Sequence, residues 1–80
     1  MYSFQVIDLT LGQETGLFQD VPGGPHVISC VDGEVTVRSS VVENSRILLK
    51  RQFYILKPDE EVSIEGNVSS SKVQLYINAE

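Results

Sequence analysis

The chain has 80 residues, enough for one domain over residues 1–80, and its formal net charge is −5. With 41% hydrophobic and 21% charged residues it is outside the weakly hydrophobic, highly charged compositions that stay disordered. Cys30 is the single cysteine, which excludes an intrachain disulfide and fits a reducing compartment better than a disulfide-stapled secreted module.

The elements are read from two-residue alternation, the period of a half-buried strand. Tyr2, Phe4 and Val6 alternate, and then Ile7, Leu9 and Leu11 alternate on the opposite parity. A strand whose apolar face changes sides at Val6-Ile7 predicts a β-bulge or a move between two sheets. Gly12 to Gly16 reads as a turn and Leu17 to Val21 as a short strand. Pro22-Gly23-Gly24-Pro25 is the strongest break in the chain. His26 to Val31 follows as a mostly apolar strand, expected to be central. Asp32-Gly33 predicts a two-residue hairpin, whose central positions both need φ > 0. Glu34 to Val42 is the next strand, with Val35 and Val37 inward, and Glu43-Asn44-Ser45 turns the chain.

Residues 46–57 admit two readings. Asn44 or Ser45 could cap a helix carrying Leu49, Gln52, Phe53 and Leu56 on one side. The content of Ile47, Phe53, Tyr54 and Ile55 favours two strands, about 46–50 and 52–57, with a bulge or bend at Lys50-Arg51-Gln52. Pro58-Asp59-Glu60 is a turn. Glu61–Glu65 and Lys72–Ile77 are strands joined through Gly66-Asn67 and the Ser69-Ser70-Ser71 run. The expected fold is all-β: a small sandwich, jelly roll or barrel of about seven or eight short antiparallel strands.

Residues able to do chemistry are few. His26 and Cys30, four apart on a strand, share a face about 13 Å apart and cannot chelate one ion without a bend. Zinc needs three or four ligands at short spacing, so no metal or other cofactor is expected. A Ser-His-Asp set drawn from a sequence with one His carries no information. Gly23-Gly24 runs into a strand and lacks the helix N-terminus that would hold a phosphate. The carboxylate pairs Glu60-Glu61 and Asp32/Glu34 read as solvated strand ends, and Cys30 as a small buried hydrophobe. The chain is therefore read as a non-enzyme with no catalytic residues.

No apolar run approaches the roughly 20 residues of a membrane span. No basic stretch followed by an apolar one marks a signal peptide, so a cytoplasmic or virion location is expected. Asn67-Val68-Ser69 matches a glycosylation acceptor and is read as a turn. Lys50-Arg51-Gln52-Phe53-Tyr54 puts cations beside aromatics, as single-strand nucleic-acid binders do, but the net acidity argues against that partner. If this is a strand, one of Phe53 and Tyr54 must also face the core.

Charge is segregated. Residues 38–57 hold five cations against Glu43, a net of +4, while the remainder holds Lys72 against ten acids, a net of −9. Such a molecule can pair head to tail with copies of itself or dock on a charged surface. The contact residues this suggests are Arg38, Arg46, Lys50, Arg51 and Tyr54 on the basic segment, and Glu60, Glu61 and Glu65 on the acidic one. Contacts of this kind loosen in salt, and reversing Lys50 and Arg51 to Glu is expected to weaken self-association.

The stretches Val31-Asp32-Gly33-Glu34-Val35-Thr36-Val37, Ile47-Leu48-Leu49-Lys50-Arg51 and Phe53-Tyr54-Ile55-Leu56-Lys57-Pro58 resemble cupin-like jelly rolls. They are similar in pattern to the C-terminal lobe of type I mannose-6-phosphate isomerases, over roughly residues 27–77. The run departs from that lobe at Gln52, where the family has glycine, and at Asp59 after Pro58. The resemblance implies a non-catalytic β lobe, since the family's zinc ligands lie elsewhere in its chain and the metal-binding histidines of general cupins have no counterpart here.

The function expected is a structural module that forms a symmetric homo-oligomer or decorates a larger protein assembly such as a virion. A degenerate cupin-like barrel that binds a sugar near the Pro22, Gly23, Gly24, Pro25 and His26 loop is the alternative, and single-stranded nucleic-acid binding a further one.

Overall fold

A computed structural model describes residues 3–41 and 43–79. Its elements are β1 (Ser3–Leu9), β2 (Phe18–Gln19), β3 (Pro25–Asp32), β4 (Glu34–Ser39), β5 (Arg46–Leu49), β6 (Phe53–Ile55), β7 (Glu61–Gly66) and β8 (Ser71–Ile77). They form two four-stranded antiparallel sheets. The first has the order β1-β8-β3-β6 and the second β2-β7-β4-β5. Consecutive strands mostly cross between the layers, which is the connectivity of an eight-stranded jelly roll.

Alternation decides what is buried. Ile28, Cys30, Tyr54, Leu56, Val73, Leu75 and Leu9 point inward from the first sheet, and Val35, Val37, Leu48, Val62 and Ile64 meet them from the second. Residues 46–57 are two strands, not a helix. Both are shorter than expected, because the chain bends at Lys50-Arg51, where Arg51 takes φ = 74°.

Two expectations about connections are corrected. β1 pairs with β8 in unbroken register from Ser3↔Ile77 to Leu9↔Ser71, so the parity change at Val6-Ile7 marks neither a bulge nor a change of sheet. The register shifts lie in β3 instead, between Pro25 and Val27 and between Cys30 and Asp32. β1 is apolar on both faces: Ile7 and Leu9 turn toward the core while Phe4 and Val6 turn out. Tyr2, which opened the alternation, is outside the described residues, as is Val42 at the end of the expected fourth strand.

Asp32-Gly33 is a tight turn but not a hairpin, because β3 belongs to the first sheet and β4 to the second. Gly33 alone of the pair has positive φ, 78°. A Cβ there would lie 2.6 Å from the Ser70 carbonyl oxygen, so the turn packs directly on the β7–β8 connection. Ser71 Oγ ties the two together, donating to the Glu34 carbonyl at 3.0 Å.

Candidate protein-interaction surfaces

The charged residues singled out in the sequence divide into three groups. Arg38 lies on the outer face of the second sheet and spends its charge within the chain, bonding Glu65 at 2.7 Å and lying 3.8 Å from Glu14. That carboxylate contact holds its guanidinium pKa above the ordinary value. Glu61 is exposed at the start of β7, where its amide donates a hydrogen bond to Ser40 Oγ at 2.9 Å.

Glu60 and Tyr54 form the second group, and they are not surface residues. Glu60 is 0% exposed, which corrects its reading as a solvated strand end. The Pro58-Asp59 turn, with Asp59 at φ = 65°, swings it under the β5–β6 side of the sandwich. There the Tyr54 and Ser39 hydroxyls donate to its Oε2, and the Lys57 amide donates to Oε1 at 2.8 Å. Burial pushes this carboxyl up, but the three hydrogen bonds and the Lys57 charge outweigh it and hold the pKa below the usual carboxylate range. Burial and the bond to Glu60 push the Tyr54 phenol up. The arrangement is a satisfied buried anion, which fixes the β6–β7 turn to β4.

Arg46, Lys50 and Arg51 form the third group. β5 ends the second sheet and β6 ends the first, on the same side of the molecule. Between them lies a groove of about 910 Å³ whose walls include Arg46, Arg51, Lys57, Ile47, Phe53 and Ile55. Lys50 sits beside it in the turn.

A second surface was not anticipated. The registers place Phe4, Tyr76, Val27 and Ile55 in one row across the outer face of the first sheet, and Val6, Gln74, Ser29 and Phe53 in the next. Phe4, Val6, Phe53 and Ile55 are 57, 54, 59 and 60% exposed, and the Phe4 and Tyr76 rings meet edge to face at 5.1 Å. A side chain of this class carries roughly 150–250 Å² when aromatic, so the patch exposes on the order of 400 Å² of apolar surface. Patches of that size on a small protein are often functional. The signal in the sequence was the parity change in β1, which displays apolar residues on both sides of one strand.

The Pro22–His26 loop is a packed turn. Gly23 has φ = 84°, the Gly24 amide donates to the Val21 carbonyl at 2.8 Å, and the Asn78 amide donates to the Gly24 carbonyl at 2.8 Å. It borders an open groove of about 500 Å³ lined by residues of β1, β2, β8 and the loop itself. Cys30 is fully buried, and burial pushes its thiol pKa up. Asn67, in the acceptor pattern, is half-buried and hydrogen-bonded to Thr36 and Glu34. Among the described residues no three of His, Cys, Asp and Glu gather as a metal site, and no helix is long and apolar enough to cross a membrane.

No protein-family model matches the chain, that of the mannose-6-phosphate isomerases included, and no curated protein matches it. Solved structures do. Drosophila melanogaster CENP-C, crystallised bound to CAL1, superposes with a TM-score of 0.76 at 14% identity, over 91% of this chain and 62% of that one. A conserved Streptococcus pyogenes protein of unknown function superposes with a TM-score of 0.75 at 14% identity, over 99% of this chain and 66% of that one. The chain spans slightly less than two thirds of either neighbour's length. What it shares with them at this identity is a small all-β fold, and one of the two is a protein seen in complex with another protein.

Proposed function

We propose that this chain is a non-enzymatic protein-contact module, a cupin-like jelly roll that self-associates through the outer face of the β1-β8-β3-β6 sheet. The observation that carries the reading is the contiguous apolar surface on that face, made of exposed Phe4, Val6, Phe53 and Ile55 around half-buried Val27 and Tyr76. Two copies packed face to face would cover on the order of 800 Å² of apolar surface together, with Gln74 and Ser29 adding polar contacts. That is the low end of specific interfaces, so the association is expected to be reversible and in the micromolar range. A two-fold arrangement is self-complementary, since one patch serves both partners. The jelly-roll topology supports the cupin-like kinship, and the protein complex formed by the CENP-C neighbour supports contact with other proteins as this fold's use.

Light scattering behind size-exclusion chromatography across a concentration series tests the reading. A monomer–dimer equilibrium that persists in high salt, and that Val6→Glu shifts to monomer, is the expected result. A monomer at hundreds of micromolar, or a dimer that dissolves as salt is added, overturns it. The second outcome would return the contact to the charged segments.

A further inference from the structure

The groove between β5 and β6 concentrates charge in a way the rest of the molecule does not. Arg46, Arg51 and Lys57, three of the six cations in the sequence, line it, and none of the acids among the described residues does. Among the described residues the ion pairs all involve Arg38, on another face. Glu60 lies beneath the groove, but its carboxylate is occupied by two hydroxyls and an amide, and Lys57 is the cation whose charge it feels. Among the described residues Arg46 and Arg51 are left without a carboxylate partner.

The groove also offers unpaired strand backbone. The Cys30 amide donates to the Gln52 carbonyl at 2.9 Å, and the Leu56 amide donates to the His26 carbonyl at 2.9 Å. Hydrogen-bonding groups alternate sides along a strand. The even positions 52, 54 and 56 therefore face β3, and Phe53 and Ile55 present their N–H and C=O groups to the open edge. Their side chains, 59 and 60% exposed, stand beside that edge, with Ile47 of β5 across the gap at 56%.

We propose that this groove binds an extended acidic segment of a partner protein, which adds to the β6 edge as a further strand and alternates carboxylate with apolar side chains. The backbone edge supplies the pairing, Phe53, Ile55 and Ile47 take the apolar positions, and Arg46 and Arg51 select for carboxylates. A nucleic acid fits less well. Three cations and one exposed ring make a small footprint on a molecule of net charge −5, and the edge amides match a peptide backbone. This inference extends the protein-contact reading to a second partner; it shares Phe53 and Ile55 with the proposed self-association and adds Arg46, Arg51 and Ile47, which that contact does not use.

The test uses the full chain and three fluorescent probes: a blocked nine-residue peptide alternating Glu with Val, its Lys-for-Glu counterpart, and an oligothymidylate. Binding is read by anisotropy in low and high salt. The expected result is binding of the acidic peptide alone, weakened by salt and weakened at least about tenfold by Arg46→Glu/Arg51→Glu, the effect of losing one or two charge contacts. Lys72→Glu makes the same kind of charge change on β8 and should leave binding intact. Amide hydrogen exchange at Phe53 and Ile55 should slow in the complex. Equal affinity of the double variant and the unaltered chain overturns the proposal, as does tighter binding of the oligothymidylate or no binding of any probe. Light scattering on the same double variant separates the two readings. A dimer that survives the double substitution in a chain that binds no peptide leaves the sheet-face contact standing alone, and an unaltered chain that is monomeric yet binds the acidic peptide, with binding lost in the double variant, leaves the groove standing alone.

Discussion

Tyr54→Phe is the most informative single change, because it removes one hydroxyl from a buried carboxylate and leaves the packing of the ring in place. Glu60 accepts from Tyr54, Ser39 and the Lys57 amide, and it is ionised at neutral pH because these bonds hold its pKa down. A hydrogen bond to a charged group contributes roughly 1.5–3 kcal/mol, so the variant should lose about 2 kcal/mol near pH 7. In a domain of this size each kcal/mol moves the melting temperature by about 4–8 °C, which makes the expected fall on the order of 10 °C. The cost should shrink in acid. The folded carboxyl sits below its ordinary value of 4.5, so between those two values the unfolded chain binds more protons than the folded one. Stability from Glu60 is therefore fully present above pH 4.5 and declines as pH falls through the folded pKa. Once Glu60 is protonated, only a neutral hydrogen bond of about 0.5–1.5 kcal/mol remains to be lost. Urea unfolding followed by circular dichroism, at about pH 7 and stepwise down the acid limb until the stability of the unaltered chain stops falling, measures both quantities. A loss under about 0.5 kcal/mol at neutral pH, or a gap between variant and unaltered chain that stays constant down the whole acid limb, would refute the account of a satisfied buried anion. Glu60→Gln is the companion variant, and it should flatten the acid limb of the stability profile.

Two further predictions test the frame around the surfaces. Gly33→Ala forces a side chain into φ = 78° and 2.6 Å from the Ser70 carbonyl, so it should destabilise the fold by about 1–3 kcal/mol in chemical denaturation. Cys30 is fully buried with its pKa raised, so its thiol should resist Ellman's reagent in the folded chain and react within the mixing time in urea.

The strands were legible because alternation is a local property, and Val35, Val37, Val62, Ile64, Val73 and Leu75 all face the core as their spacing requires. What the spacing could not state was which sheet each strand would join. Asp32-Gly33 has the chemistry of a hairpin, yet β3 finds its partners in β8 and β6, more than 20 residues further along the chain, and β4 crosses to the other layer. The parity change in β1 was visible, but it has two physical causes, a distorted strand or a straight one apolar on both faces, and only the pairing with β8 chooses between them. Glu60 was misread for a related reason. A carboxylate after Pro-Asp belongs in water unless donors converge on it, and here they come from Ser39 and Tyr54, which are distant or inward-facing residues. The cluster of Arg46, Arg51 and Lys57 was foreshadowed by the basic segment, whereas Arg38 in the same segment faces a different side and different partners.

The place of β8 between β1 and β3 has a bearing on how the chain is made. A ribosome delivers β1 first, yet the strand that pairs with it spans Ser71–Ile77. Until those residues emerge, Phe4 and Val6 ride on a strand with no neighbour on either side, and β3 has only the three residues of β6 to hold it. Long-range pairing of this kind folds slowly and leaves apolar strands open to wrong partners while it waits. A nascent jelly roll of this order is therefore a natural client for a holding chaperone, and the face proposed to join two finished copies is the same one that most needs shielding during synthesis.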